Sequence, residues 1–299
     1  MFVILGASGK VGQTTARVLR QAGKQVRAVV RRTTNIEALS SYGCEIVIAD
    51  IQDGDALAHA IQGASAVQVI CPADTRSEDA AGRMQNSIEL IVQAIEKGKP
   101  SNVLAISDYG AERPSGTGIT ALFHFFENRL KTLPVATTIV RSAEHMQNWA
   151  NFIKIAFDAG VLLSLHHPLE KLFPTVSAFD VGTISAGLLL EPSPIHGKRR
   201  VVHVEGPERY SATDVARTLS ELFERDVRAQ ALPRNEWSNV LSRAGIPAEN
   251  ISLITEVYDA HNAGLIDAEE SAGEIRRGGT RLAVALKPYA AESNVPEHH

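Results

Sequence analysis

The chain of 299 residues has only two cysteines, Cys44 and Cys71. They follow different predicted strand regions without the spacing of metal ligands, which excludes a zinc site or a disulfide framework and fits a reducing compartment. Each reads as a small buried apolar residue; a redox role is the other reading of Cys71, at the end of the fourth predicted strand. Excess charge is missing as well. The formal net charge is −4, so no basic field draws nucleic acid or an anionic membrane, and neither is expected as a direct partner. No run approaches the roughly 20 apolar residues of a transmembrane helix, and no charged n-region precedes an apolar segment, so a cytoplasmic location is expected. Internal repeats and low-complexity tracts are absent. What is present, 44% hydrophobic and 21% charged residues, suits a globular protein long enough for one large α/β domain with an appended lobe.

The first twelve residues, MFVILGASGKVG, organise the rest. A short apolar run, 2–5, feeds a turn containing Gly6, Gly9 and Gly12, and 13–19 continues as a helix. Strand, tight turn and helix start form the layout that binds a dinucleotide pyrophosphate. Glycines let the backbone turn sharply and approach the phosphates, and the helix N-terminus offers free N–H groups and a partial positive charge. Gly6, Ser8, Gly9, Lys10, Val11 and Gly12 are therefore candidate cofactor contacts. Their spacing, G-x-x-G-x-x-G, differs from the G-x-G-x-x-G of the dehydrogenase fingerprint, and the strand and helix around it carry the assignment.

Strand and helix signals then alternate. Strands are predicted at 25–30, 45–48, 66–70, 103–106 and 135–140, and helices at 35–42, 53–62, 78–97 and 119–131, with Asp53 and Ser77 as N-caps. This alternation specifies an α/β fold, a Rossmann-type doubly wound parallel sheet with helices on both faces. After Arg141 the rhythm breaks into a helix at 148–158, an irregular stretch at 160–174, a helix at 180–190 and a strand at 200–204. Helices at 213–223, 234–244 and 248–262 follow, with a short strand at 227–231. The expected layout is a Rossmann domain over 1–145, rejoined by about 176–204. A smaller C-terminal α/β lobe takes most of 146–290 and shapes a substrate cleft, and 291–299 forms a tail.

Ligands of such sheets bind beyond the carboxyl ends of the strands. That rule selects Arg31, Arg32, Asp50, Ile51, Cys71 and Pro72 as further cofactor contacts, then residues 107–109 and 141–148. At the end of the second strand, Arg31 and Arg32 stand where an acid would select NAD(H). A guanidinium pairs with a 2′-phosphate and a carboxylate repels it, so NADP(H) is favoured over NAD(H), with Lys10 adding to the positive field. A solvated arginine pair is the competing reading. Asp50 has two readings, acceptor for the adenine amino group or cap of the next helix.

With these residues in place, the chain resembles the NmrA-like branch of the atypical short-chain dehydrogenase/reductases along nearly its whole length. The resemblance rests on residues 6–12, Val30-Arg31, the run from Arg141 to Trp149, and Asp180-Val181-Gly182. It continues through Glu205-Gly206-Pro207, the helix entry at 211–216 and Arg277-Gly278-Gly279-Thr280. It implies a Rossmann domain binding NADP(H) and a small C-terminal lobe, in a family of quinone reductases, triphenylmethane-dye reductases and non-catalytic redox sensors. The tyrosine–lysine pair of ordinary short-chain dehydrogenases is absent, because Arg113 stands four residues after Tyr109. Ser107 and Tyr109 remain candidates to bind and protonate a substrate oxygen, Tyr109 being equally a cleft-lining aromatic. Many relatives carry a lysine or histidine four residues before a helical glutamate. Here Phe123 takes that position before Glu127 and His124 lies three back, so His124 reads either as a catalytic or cofactor contact or as a packing residue.

Glu144, His145, Met146, Asn148 and Trp149 are the candidate substrate contacts, and His166-His167 reads as solvated loop. The expected activity is NADPH-dependent reduction of a quinone-like or other flat, electron-poor small molecule. The alternative is a non-catalytic NADP(H) sensor that regulates a protein partner.

Overall fold

Strand propensity and helical periodicity alternate through the first half of the chain, and the computed structural model follows them. It describes residues 1–33, 36–192 and 198–293. Asn35, where the second helix is predicted to begin, and the Glu297-His298-His299 terminus lie outside that set. Strands β1 (Phe2–Leu5), β2 (Val26–Val30), β3 (Glu45–Ile48), β4 (Ala66–Ile70), β5 (Asn102–Asp108) and β6 (Ala136–Ser142) alternate with helices α1 (Lys10–Gln21), α2 (Glu37–Ser41), α3 (Gly54–Ile61), α4 (Ala80–Gly98) and α5 (Thr120–Leu130). The second half carries β7 (Glu144–His145), α6 (Ala150–Ala159), β8 (Val161–Ser164), β9 (Thr175–Val176), α7 (Ala178–Leu190) and β10 (Arg199–Glu205). It closes with α8 (Ala212–Phe223), β11 (Arg228–Ala231), α9 (Trp237–Arg243), α10 (Ala248–Ala263), β12 (Glu274–Arg277) and α11 (Leu282–Ser293).

Eight strands pair in parallel in the order β12-β10-β6-β5-β4-β1-β2-β3. Alternate side chains along each strand feed opposite cores. Val3, Leu5, Val103 and Ala105 pack with Leu57, Ile88, Ile91 and Phe126, whereas Ile4, Ala28, Val30 and Leu104 pack with Leu19, Val181 and Leu188. The sheet is thus covered on both faces, the Rossmann-like arrangement expected. Its order reverses between β1 and β4, which opens a crevice beyond the carboxyl ends of those strands.

On one face α1 crosses α7 closely. A Cβ on Gly182 would lie 2.6 Å from both the Thr14 Cβ and the Val11 carbonyl, so only glycine permits the approach. A separate cluster built on Met146, Trp149, Leu219 and Leu286 joins α6, α8 and α11, beside the two-stranded sheet β8–β11.

The caps differ in one place. Asp53 caps α3 by accepting from the Ala56 amide. At α4 the cap is Asp79, whose carboxylate accepts from the Gly82 amide, whereas Ser77 is spent in the preceding turn, its hydroxyl on the Asp74 carbonyl. The short strands β7, β8 and β9 were not predicted, β8 lying inside the stretch 160–174 expected to be irregular, and neither were β12 and α11. β12, Glu-Ile-Arg-Arg, is a mostly exposed edge strand with no apolar run to signal it. α11 buries Leu282, Ala285, Leu286 and Ala290 at helical spacing but contains Pro288.

Candidate active site

The glycine turn forms the floor of a groove of about 830 Å³ along the crevice. Gly6 has φ +75°, a conformation that disfavours a side chain, and its carbonyl accepts from the Gly9 amide at 3.2 Å. Gly12 acts one layer behind: a Cβ there would lie 2.5 Å from the Gly6 carbonyl oxygen, so it sets the closeness of α1 to the turn and does not line the groove. Among the described residues, nothing hydrogen-bonds the amides of Lys10, Val11 and Gly12, and the first turn of α1 carries no acid. This cradle of free N–H groups at the positive end of a helix dipole fits a pyrophosphate.

Gly6, Ser8, Gly9, Lys10, Val11, Arg31, Ile51 and Pro72 all line the groove. Arg31, exposed after β2, is the arginine on its wall; Arg32 is exposed away from it. Asp50 is not among the lining residues; its carboxylate accepts from the Gln52 amide at 2.9 Å and closes the turn before α3. The helix-cap reading of Asp50 gives way to this turn, since Asp53 caps α3. Gln147, within the selected stretch 141–148, and Tyr289 of α11, which was not foreseen, also line the groove; the Lys10 ammonium lies 5.7 Å from the centre of the Tyr289 ring.

A second cavity of about 340 Å³ lies beside the groove, the two sharing walls at Ile70, Pro72, His145 and Asn148. Its base is formed by the ends of β4, β5 and β6, and its roof by Ile254, Val257, Tyr258 and His261 of α10. The roof is tied down by Asn250, 1% exposed, whose amide donates to the Thr75 and Ser77 carbonyls at 3.0 and 2.7 Å and accepts from the Ala80 amide at 3.2 Å. Cys71 lines this cavity instead of the groove, and burial pushes its thiol up to about 12, so the apolar reading holds for it.

The structure rearranges the candidate chemistry. Tyr109 does not line the cavity. It lies in the core, edge-on to His203, and its hydroxyl donates to Glu205 at 3.1 Å. His124 is turned off by its place on α5: its Nδ1–H donates to the Ala111 carbonyl at 2.9 Å, and the neighbouring Phe123 faces the cavity. One residue along a helix is a rotation of about 100°. Ser107 does line the cavity, but its hydroxyl donates to the buried Glu127 carboxylate at 2.6 Å, which Arg141 also holds. Met146 and Trp149 are packed in the apolar cluster with Leu219 and Leu286, leaving Glu144, His145 and Asn148 of that segment on the cavity wall.

His166 is buried, not solvated. Its ring packs against Phe173, Tyr258 and Trp149, and its Nε2 stands 2.9 Å from Glu144 Oε2. Burial pushes the Glu144 carboxyl up, but the His166 and His261 rings and the Asn148 amide outweigh it and hold the group at about 2. Burial lowers His145 and His261 to about 4, against the upward pull of Glu144 on both, so both rings are neutral at neutral pH. Asp108, between Ser107 and Tyr109 in the selected stretch 107–109, also lines the cavity, with no chemical role assigned to it from the sequence. Among the described residues, no three His, Cys, Asp or Glu side chains are placed to hold a metal ion, and no helix is long and apolar enough to cross a membrane.

Residues 1–276 match the model of the NmrA-like family. The chain is 23% identical to an NAD(P)H azoreductase of Xenophilus azovorans over 259 residues, 86% of each protein. The fold is shared with the NADPH-dependent quinone oxidoreductase of Escherichia coli in complex with NADPH, with a TM-score of 0.79, 20% identity and coverage of 98% of this chain and 100% of that one. It is shared equally with the triphenylmethane reductase of Citrobacter sp. complexed with NADP(H), with a TM-score of 0.78, 19% identity and coverage of 97% and 100%.

Proposed function

The chain belongs to the NmrA-like family, and from that premise we propose that it is a nicotinamide-dependent reductase of a flat, electron-poor small molecule such as a quinone, using NADPH in preference to NADH. The observation that carries this reading is the adjacency of the two cavities, which share the wall formed by Ile70, Pro72, His145 and Asn148. A dinucleotide laid from Arg31 across the glycine cradle would end at that junction, beside a pocket of a size for a small aromatic acceptor. The bound reduced nicotinamide would supply a hydride there.

The protein's own residues do the positioning. The free amides of Lys10 and Val11 meet the pyrophosphate, and Arg31, exposed and without an ion pair among the described residues, meets the 2′-phosphate. Phe123, Ile254 and Val257 present apolar surface that excludes water and orients a flat ring. The relatives' activities toward azo, quinone and triphenylmethane compounds agree with an acceptor of this kind.

Steady-state NADPH oxidation with a panel of quinones, azo dyes and triphenylmethane dyes tests the proposal. Turnover of at least one acceptor class, with a lower KM for NADPH than for NADH, is the expected result. Failure of every acceptor to exceed background refutes it; unequal affinities for oxidised and reduced cofactor would then favour the sensing alternative.

A further inference from the structure

Reduction of a quinone consumes a proton as well as a hydride, and the groups that the sequence offers for it are engaged elsewhere: Tyr109 on Glu205, His124 on Ala111, Ser107 on Glu127. We propose that Asp108 is the proton donor, a reading that rests on the reductase function proposed above. Its carboxyl stands on the wall of the substrate cavity. The Tyr109 amide donates to Oδ1 at 3.0 Å and the Thr120 hydroxyl to Oδ2 at 3.2 Å, so the group is oriented by two neutral donors and no cation.

The groups facing it agree with a held proton. Cys71 from the end of β4 and Tyr258 from α10 are themselves pushed up by burial and stay protonated, while His145 of β7 and His261 of α10 are neutral. Glu144 is the charged neighbour, and it has the same sign. Burial pushes the Asp108 carboxyl up, the Thr120 hydroxyl lowers it, Glu144 raises it and the Tyr109 amide lowers it, leaving it at about 7. An acid of that strength both holds and releases a proton at neutral pH.

In the step itself the acceptor gains two electrons with the hydride. The O–H bond of Asp108 breaks, its proton forms a new O–H bond on the acceptor oxygen, and the carboxylate regains a proton from solvent. Reduction of a cationic triphenylmethane dye balances with hydride alone and needs no such donor.

The experiment compares wild type, Asp108→Asn and Thr120→Val. With a quinone, wild-type kcat should fall as pH rises through about 7. D108N should lower kcat roughly 100-fold and remove that dependence. T120V, which removes a bond that favours the carboxylate, should move the fall to higher pH. Urea midpoints supply a readout without cofactor: the stability of D108N relative to wild type should rise between pH 4 and pH 8, because only the wild type must ionise a buried carboxyl. An active wild type with D108N unchanged in kcat and pH profile, or a stability difference that does not vary with pH, overturns the proposal alone. A wild type inactive with every acceptor removes the reductase reading and this proposal with it.

Discussion

Arg141 grips Glu127 through two parallel bonds, Nε to Oε1 at 2.9 Å and Nη2 to Oε2 at 2.8 Å, with the side chains 6% and 5% exposed. The third guanidinium nitrogen reaches Glu269 at 2.6 Å and Glu112 at 3.4 Å, so one cation on β6 joins α5, the loop after β5 and the segment after α10. Removing one partner of such a buried pair strands the other. Arg141→Met is therefore expected to destabilise the fold by about 3–5 kcal/mol, and a urea midpoint close to wild type would contradict this.

Arg31 is expected to decide between cofactors. Arg31→Asp removes a charge-assisted contact to the 2′-phosphate and adds repulsion, so NADPH affinity should fall roughly 10- to 100-fold while NADH affinity changes little. Titration of both reduced cofactors by fluorescence checks it. Equal losses would mean that Arg31 does not touch the phosphate.

Asn250 holds the α10 roof by three hydrogen bonds to the segment before and at the start of α4. Asn250→Ala leaves two carbonyls and an amide unpaired in a buried place, a loss of roughly 2–4 kcal/mol. Because the roof also carries Val257 and Tyr258, KM for the acceptor should rise more than kcat falls. Steady-state kinetics below the variant's melting range would reveal the opposite pattern if the roof were not substrate-lining.

Acid should act on the fold through His261. Burial lowers this ring from 6.5 to about 4, so the unfolded chain takes up a proton that the folded chain refuses between those values. Stability therefore falls as pH drops from about 6.5 to 4, by up to about 1.4 kcal/mol per pH unit from this group. His145 acts with the same sign, and Asp108, raised instead of lowered, opposes both over roughly the same range. Below it, Glu144 loses its contribution as pH falls from 4.5 towards 2. His261→Phe should flatten the fall between pH 6.5 and 4 in urea midpoints; an unchanged slope would place the titration elsewhere.

Several residues that carry the family resemblance prove to be joints of the fold. Asp180 accepts from both the amide and the hydroxyl of Thr280, anchoring the Arg277 to Thr280 run to α7. Glu205, 1% exposed, gathers Tyr109, Arg209 and Arg277. A Cβ on Gly206 would lie 2.8 Å from the Thr175 carbonyl and 2.9 Å from the Met146 methyl. These motifs mark the architecture, and the chemistry has to be located separately.

By itself the sequence determined the parallel sheet, the glycine cradle and the arginine after β2, because strand alternation, helical period and a turn that needs glycine are local properties written in neighbouring residues. The tertiary structure alone decided which of several adjacent polar or aromatic side chains meets a cavity. Phe123 rather than His124, Asp108 rather than Tyr109, and a buried rather than a solvated His166 all follow from the rotation of an element against its neighbours and from partners more than ten residues away. Local pattern fixes the elements; the packing of distant elements fixes which face is wet, and burial there sets which groups hold a proton.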